Sequence, residues 1–325
     1  MKFATNWTGN VLLVIAACLM LTACNERPKS PAFEFEFEPD NSPVEGGLRI
    51  STLRAAAIQR GLTRPEELWF DRRPKLEAVG SLIFDSPLMS LNSSISCRDC
   101  HLDEFSSTDG LPNAVGAGAS GIGAARMHTG GDILPRNVLP LWGRGNKGFE
   151  TFFWDGKVEL DHGKVVSQFG SLANSSDPML IAVQLPSVEI REMLADSGEV
   201  RRKLAQEDVT TAEGVQDQLT RRFKSDQIIG SKLAQAVKKD PEHIRFIDVA
   251  QALAAFIRHE FRVRSTRFHR FVFDDGPISQ SELNGGILFY GRGRCAACHG
   301  GPYFSDLQFH AVAFPQAGFG KNGFG

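Results

Sequence analysis

The sequence has little of what several common protein classes require. Its 325 residues include only six cysteines and two tyrosines, against 24 phenylalanines. The formal net charge is −2, which gives no reason to expect a nucleic-acid partner. No repeated alternation of short strands and turns appears, so the expected class is mainly α. At about 150 residues per domain, the length is that of a two-domain protein.

Cysteine is scarce, and its positions are informative. Cys18 and Cys24 lie in the N-terminal segment. The other four lie inside two copies of the motif CxxCH: Cys97, Cys100, Cys295 and Cys298. No cysteine is therefore left for a separate disulfide framework.

Residues 1–24 have the pattern of a bacterial lipoprotein signal peptide. An apolar run of about 13 residues, Val11 to Ala23, is too short to span a bilayer of roughly 30 Å as a helix. It ends in LTAC, which resembles the site where cleavage leaves Cys24 as a lipidated N-terminus. An ordinary signal peptide or an uncleaved anchor is the alternative. Residues 25–48, rich in Pro and Glu, are predicted to be a linker. We therefore expect an exported, periplasmic protein that a lipid attaches to a bacterial membrane.

The remaining chain predicts helices and two related modules. Thr63 to Glu67 combine a capping residue, an early proline and acidic residues, which indicates a helix start. The Gly- and Ala-rich stretch from Leu111 to Gly131 is interpreted as a long loop near a functional site. The two halves are similar, which predicts modules at residues 49–205 and 206–325. Apolar residues at helical spacing predict one buried helix face in the second module: Ile247, Ala250, Ala254, Ile257 and Phe261.

The CxxCH motif is the attachment sequence of a c-type haem. Two cysteines form thioether bonds to the vinyl groups, and the following histidine ligates the iron. Zinc bound by two CxxC pairs, or a thioredoxin-like redox pair, would not require a histidine after both pairs. We therefore predict two haems. The first is bound by Cys97, Cys100 and His101, and the second by Cys295, Cys298 and His299.

Several segments together resemble the bacterial di-haem cytochrome c peroxidase family, which includes the methylamine-dehydrogenase maturation protein. They are SISCRDCHLDEFSSTDG, ILPRNVLPLW, FFWDGKVEL and RCAACHGGPYFSDLQFH, and the resemblance covers about residues 75–325. It implies two cytochrome c-like domains, the first peroxidatic and the second an electron-transfer domain. His101 would then ligate iron at the peroxide site, and His299 at the electron relay.

The resemblance also assigns roles to residues outside the haem-binding motifs. Trp154 matches the family's tryptophan between the haems, a candidate electron bridge, although a buried tryptophan is often only part of a core. Asn137 matches a ligand of the family's calcium ion, and an amide oxygen suits that cation.

Glu192 is the candidate for proton transfer. The family places a proline six residues before a Glu-Met pair, and Pro186 stands in that relation to Glu192 and Met193. Cleavage of a peroxide O–O bond needs a group that moves a proton between the two oxygens, as a carboxylate can. Glu189 is a nearby competitor. Without the resemblance, Glu192 would be read as a residue on the solvated face of a helix.

Distal ligands to the two haems are less well marked. His128 lies where some of these peroxidases carry a displaceable ligand to the first haem, with Met127 as the alternative. No Met follows Met193, so the usual distal ligand of the second haem has no candidate in its usual place. Tyr303 and His310 lie close by in sequence, but neither occupies the family's position. The sequence is therefore expected to be a fragment with the second domain truncated; the alternative is a second haem that is five-coordinate or ligated by another residue.

Three functions are consistent with these residues. The first is reduction of hydrogen peroxide to water with electrons from a small cytochrome or cupredoxin. The second is oxidation of an amino acid on a partner protein, as in the maturation subgroup, and the third is electron transfer without catalysis. Many family members form homodimers, which is a further expectation.

Overall fold

The computed structural model describes residues 47–170, 175–194 and 198–312. The predicted signal peptide, the lipidated Cys24 and nearly all of the linker lie outside these residues. Within the described ranges, no helix combines the length and apolarity that crossing a membrane requires.

The described chain is mainly α-helical, as the sequence predicted. Its α-helices are α1 Gly47–Gln59, α2 Pro74–Phe84, α3 Pro178–Ala182, α4 Glu199–Leu204, α5 Val209–Ser225, α6 Gln227–Val237, α7 Phe246–Glu260, α8 Arg267–Phe273 and α9 Gln280–Tyr290. A small antiparallel sheet, which was not predicted, has the order β1 Thr151–Phe152, β2 Val158–Asp161 and β3 Lys164–Ser167.

Helices α2 and α7 cross closely at the centre of the larger hydrophobic core. Gly80 makes this possible, because a Cβ atom there would lie 2.0 Å from the carbonyl oxygen of Ala252. The predicted apolar face of α7 is confirmed: Ala250, Ala254 and Ile257 are buried, and Ile247 is half-buried. Asp248 fixes the start of the helix, since its carboxylate accepts the backbone N–H of Arg245 at 2.9 Å.

The larger core extends from Leu76 to Phe261 and therefore takes residues from both sides of the predicted module boundary. A second, smaller core joins α1 to α8 and α9, which precede the second CxxCH motif. There Gly286 faces Leu53, and the backbone N–H of Gly301 donates to the carbonyl of Arg60 at 2.6 Å. The N-terminal helix thus packs beside the second motif. The boundary at residues 205 and 206 stays a prediction.

Two predicted helical segments are wrong in extent. The start signal at Thr63 to Glu67 leads only to a 3-10 turn, Pro65–Leu68, because the chain becomes extended at Trp69. The segment that carries Glu192 is a 3-10 turn, Pro186–Val188, followed by further turns rather than a helix. In both cases a proline begins the turn, but no periodic apolar face follows to extend it.

The long loop from Leu111 to Gly131 is organised around one buried side chain. Arg126 is 1% exposed, and its guanidinium donates to the carbonyl of Val115 at 2.7 Å. The same group approaches Cys100 Sγ at 3.8 Å. A single 3-10 helix, Gly123–His128, interrupts the loop. The loop therefore contacts the first CxxCH motif, in agreement with its interpretation as a long loop near a functional site.

Candidate active site

The first CxxCH motif forms one tight turn. Its 3-10 helix, Cys97–Asp99, begins with a cap in which the Asp99 carboxylate accepts the backbone N–H of Ser96 at 2.7 Å and its hydroxyl at 2.8 Å. The backbone N–H groups of Cys100 and His101 then donate to the carbonyl of Cys97, at 3.2 and 3.0 Å. This turn places two free thiols and the imidazole next to one cavity.

The imidazole of His101 is held in the form that binds iron. Its Nδ1 lies 2.8 Å from the carbonyl oxygen of Ser107. A carbonyl can only accept, so Nδ1 carries the proton and Nε2 keeps its lone pair. Burial lowers the pKa of His101 to about 4, so the ring is neutral at ordinary pH. Phe84 packs against the ring, with centroids 6.2 Å apart.

The cavity beside this turn has a volume of about 500 Å³, in the range of cofactor pockets. Most of its wall is apolar and comes from residues 134–144, 152–157 and 179–193, with single side chains from helices α2 and α7. Two thiols and a neutral imidazole on an apolar wall fit a covalently bound haem. Six residues predicted from the sequence line this one cavity: Cys97, Cys100, His101, Asn137, Trp154 and Glu192.

Glu192 is one of three carboxyl groups that line the cavity, together with Asp155 and Glu189. It is half-buried, and burial raises the pKa of its carboxyl to about 7. The nearby Lys157 lowers that pKa, whereas Glu189 and Asp155 raise it. Both the acid and the carboxylate are therefore accessible near neutral pH, as proton transfer requires.

Glu189, the competing carboxylate, is already paired. Its Oε1 lies 2.7 Å from the Nζ of Lys157, and both side chains are largely buried. Sequence reasoning missed Lys157 as a residue of the cavity. The only signal was its position directly after the FWDG motif.

Trp154 and Asn137 contact each other at the rim of the cavity. The indole Nε1 of Trp154 donates to the backbone carbonyl of Asn137 at 2.9 Å. Trp154 is 47% exposed, so it is not simply a core residue. The turn before β2 that presents it needs positive φ angles at Phe153 and Gly156. The roles of Trp154 in electron transfer and of Asn137 in calcium binding stay predictions.

The predicted distal ligand lies away from this wall. His128 and its alternative Met127 are exposed, and neither is among the described residues that line the cavity. Ligation of iron by either residue stays a prediction.

The second motif repeats the local geometry of the first. The backbone N–H of His299 donates to the carbonyl of Cys295 at 2.9 Å, and its Nδ1 lies 3.1 Å from the carbonyl oxygen of Phe304. As at His101, Nδ1 is the donor and Nε2 is left for a metal. Tyr303 then connects this motif to the larger core, since its hydroxyl donates to the carbonyl of Lys147 at 2.6 Å.

Comparison with known proteins finds a matching protein family and related proteins. A family model described as di-haem cytochrome c peroxidase matches residues 74–276, which include the first CxxCH motif. The methylamine utilization protein MauG of Methylorubrum extorquens is 25% identical over 266 residues, which cover 79% of this chain and 59% of that protein. The cytochrome-c peroxidase IdrP2 of Denitromonas iodatirespirans is 25% identical over 241 residues, covering 73% of this chain and 51% of that protein. The chain thus spans between half and three-fifths of the length of these relatives.

A solved structure of similar fold is a variant of the di-haem peroxidase BthA from Burkholderia thailandensis. It superimposes with a TM-score of 0.50 at 19% sequence identity, and the match covers 79% of this chain and 59% of that one. At this identity the likeness concerns the fold alone.

Proposed function

Because the chain belongs to the di-haem cytochrome c peroxidase family, we propose that it reduces hydrogen peroxide to water with electrons from a small cytochrome or cupredoxin. The observation that carries the proposal is a carboxyl with a pKa near 7, Glu192, in the same cavity as the first CxxCH motif. An electron-transfer protein without catalysis would not need such a group.

The residues that would hold the cofactors follow from the two motifs. Cys97 and Cys100 would form thioethers to the first haem and His101 would ligate its iron through Nε2. The second haem would bind in the same manner to residues 295–299. When bound, the haems supply iron centres that accept and release electrons one at a time.

Glu192 would move the proton during O–O cleavage. Its carboxylate accepts the proton of one peroxide oxygen and returns it to the other oxygen, which leaves as water. The complete reaction consumes one peroxide, two electrons from the donor protein and two protons from solvent, and produces two waters. The apolar wall limits the water around the carboxyl and so keeps its pKa high.

Trp154 is the proposed electron bridge between the two haems, and the second motif the proposed relay. The family supports a periplasmic location. The lipid anchor at Cys24, a calcium ion at Asn137 and a homodimer remain predictions for the whole protein.

The test is peroxide turnover by the haem-loaded protein with a reduced donor protein. We expect Glu192→Gln to lower kcat by about 10²- to 10⁴-fold, the usual contribution of a general acid–base group. Glu159→Gln is the matched control, because Glu159 is exposed on β2. Equal turnover in both variants would refute the role of Glu192. Two haems that do not react with peroxide would instead indicate an electron carrier.

A second candidate is oxidation of a partner protein, which the similarity to the methylamine utilization protein supports. It predicts that peroxide is consumed without a donor cytochrome or cupredoxin while an amino acid of another protein is oxidised. Mass spectrometry of proteins mixed with the peroxide-treated enzyme distinguishes the two activities.

A further inference from the structure

We infer that Lys157 is a positioning residue of the peroxide site. Through Glu189 it holds the turn that carries Glu192, and it keeps a positive charge beside the Glu192 carboxyl. The inference rests on the proposed function, in which Glu192 moves the peroxide proton.

The ion pair of Lys157 with Glu189 is sheltered from water. Lys157 Nζ lies 2.7 Å from Glu189 Oε1, and the two side chains are 18% and 16% exposed. The same ammonium group lies 4.7 Å from the centroid of the Phe153 ring. Largely dehydrated partners interact more strongly than a surface pair, and removing one of them leaves the other charge uncompensated.

The backbone of Glu189 holds the turn that presents Glu192. Its carbonyl oxygen accepts the N–H groups of Glu192 at 3.2 Å, Met193 at 3.4 Å and Leu194 at 3.2 Å. Glu189 therefore binds Lys157 with its side chain and the Glu192 turn with its main chain. Lys157 in turn is fixed at the start of β2, where its carbonyl accepts the N–H of Gln168 at 3.1 Å.

The charges around Glu192 come from three parts of the chain. Lys157 and Asp155 belong to the segment before β2, Glu189 to the turn of Glu192 itself, and Cys100 to the first CxxCH motif. Cys100 would be an uncharged thioether once haem is attached. Three arginines also line the cavity: Arg136, Arg144 and Arg191. Burial and the two neighbouring carboxylates, Glu189 and Asp155, raise the pKa of Glu192, and Lys157 lowers it.

These contacts predict opposite effects of two substitutions. Removal of the cation in Lys157→Met should favour the protonated form of Glu192, and removal of a neighbouring negative charge in Glu189→Gln should favour the carboxylate. A nearby charge changes a pKa by roughly one unit, which is about tenfold in the proton dissociation constant. The double variant should titrate between the two single variants, and Lys157→Arg should stay close to the unsubstituted protein.

The experiment is an infrared pH titration of the haem-loaded protein. The carbonyl band of the protonated Glu192 carboxyl is identified by its loss in Glu192→Gln. We expect the midpoint pH of this band to rise in Lys157→Met, which corresponds to a proton dissociation constant about tenfold smaller. In Glu189→Gln the midpoint pH should fall. The pH profile of kcat/KM should move in the same directions.

The inference would be overturned by an unchanged midpoint in Lys157→Met. It would also be overturned if the midpoints of both single variants moved in the same direction. If Lys157→Met does not fold, the double variant Lys157→Met/Glu189→Gln is used, because it leaves no unpaired charge. The difference between its midpoint and that of Glu189→Gln then gives the effect of Lys157. A midpoint equal to that of Glu189→Gln would then overturn the inference. The infrared band does not depend on turnover. If Glu192→Gln keeps full turnover, the proposed function fails, while the titration still decides the role of Lys157.

Discussion

Replacing Gly80 by alanine tests whether the crossing of α2 and α7 shapes the cavity beside the first CxxCH motif. The added Cβ would lie 2.0 Å from the carbonyl oxygen of Ala252 and 2.7 Å from the Cβ of Phe256. Both contacts are far shorter than van der Waals distance, and the nearer one involves backbone that no rotamer change can move. The two helices must therefore separate.

The magnitude follows from two opposing terms. Overpacking of a close contact costs about 3 kcal/mol at the upper end of its usual range. Alanine in a helix gains about 1 kcal/mol over glycine. The free energy of unfolding should therefore fall by about 2 kcal/mol, which lowers Tm by about 4–8 °C for a domain of this size.

Gly214→Ala is the matched control. Gly214 lies inside α5, and within the described part of the chain its Cβ would meet no atom within 4 Å. This variant should keep only the helix-propensity term and raise the free energy of unfolding by about 0.5–1 kcal/mol. Thermal unfolding followed by far-ultraviolet circular dichroism measures both variants on the haem-loaded protein.

The cavity supplies a second readout for the same variant. Phe84 on α2 and Leu253 and Ile257 on α7 line its wall. Separation of the helices should change the haem absorption spectrum in Gly80→Ala, whereas Gly214→Ala should leave it unchanged. Equal stability of the two variants would refute the close crossing, and an unchanged spectrum would refute its connection to the cavity.

Three further outcomes follow from the site and its supports. Peroxide turnover should fall as the pH decreases through about 7, because the raised pKa of Glu192 removes the proton-accepting carboxylate there; a profile that stays flat down to pH about 5 would contradict this. Asp99→Ala should lower the free energy of unfolding by about 1 kcal/mol in thermal melts, because the Ser96 donors lose their acceptor, and an unchanged Tm would refute the cap. Arg258→Met should cost about 2 kcal/mol in urea unfolding by breaking its two hydrogen bonds to the Asp177 carboxylate; the additional variant Asp177→Asn should then have little further effect.

The features that the sequence predicts best are those whose signal is local. Each CxxCH motif contains its own thiols and imidazole, and its turn is closed by hydrogen bonds within five residues. The buried face of α7 depends on spacing within one helix, and it is confirmed. Trp154, Asn137 and Glu192 could be proposed only through the family resemblance, yet all three line the cavity with the first motif.

Other features depend on contacts that no local pattern contains. The carbonyls of Ser107 and Phe304, which set the tautomers of His101 and His299, are ordinary loop backbone in the sequence. Burial of the Arg126 guanidinium in a Gly-rich loop runs against the usual exposure of arginine. The folded conformation of these loops decides the arrangements, and no residue pattern in the sequence indicates it.

The environment of Glu192 combines both kinds of information. The sequence identifies two carboxylates three residues apart, and spacing alone cannot tell which of them is held in an ion pair. In the structure the two carboxylates differ in their contact with one cation. Lys157, 32 residues before Glu189, forms an ion pair with Glu189. Glu189 is thereby held as a partner of that cation, and burial raises the pKa of Glu192. The pKa of Glu192, the proposed proton-transfer group, therefore depends on the charges of its neighbours as well as on its own burial.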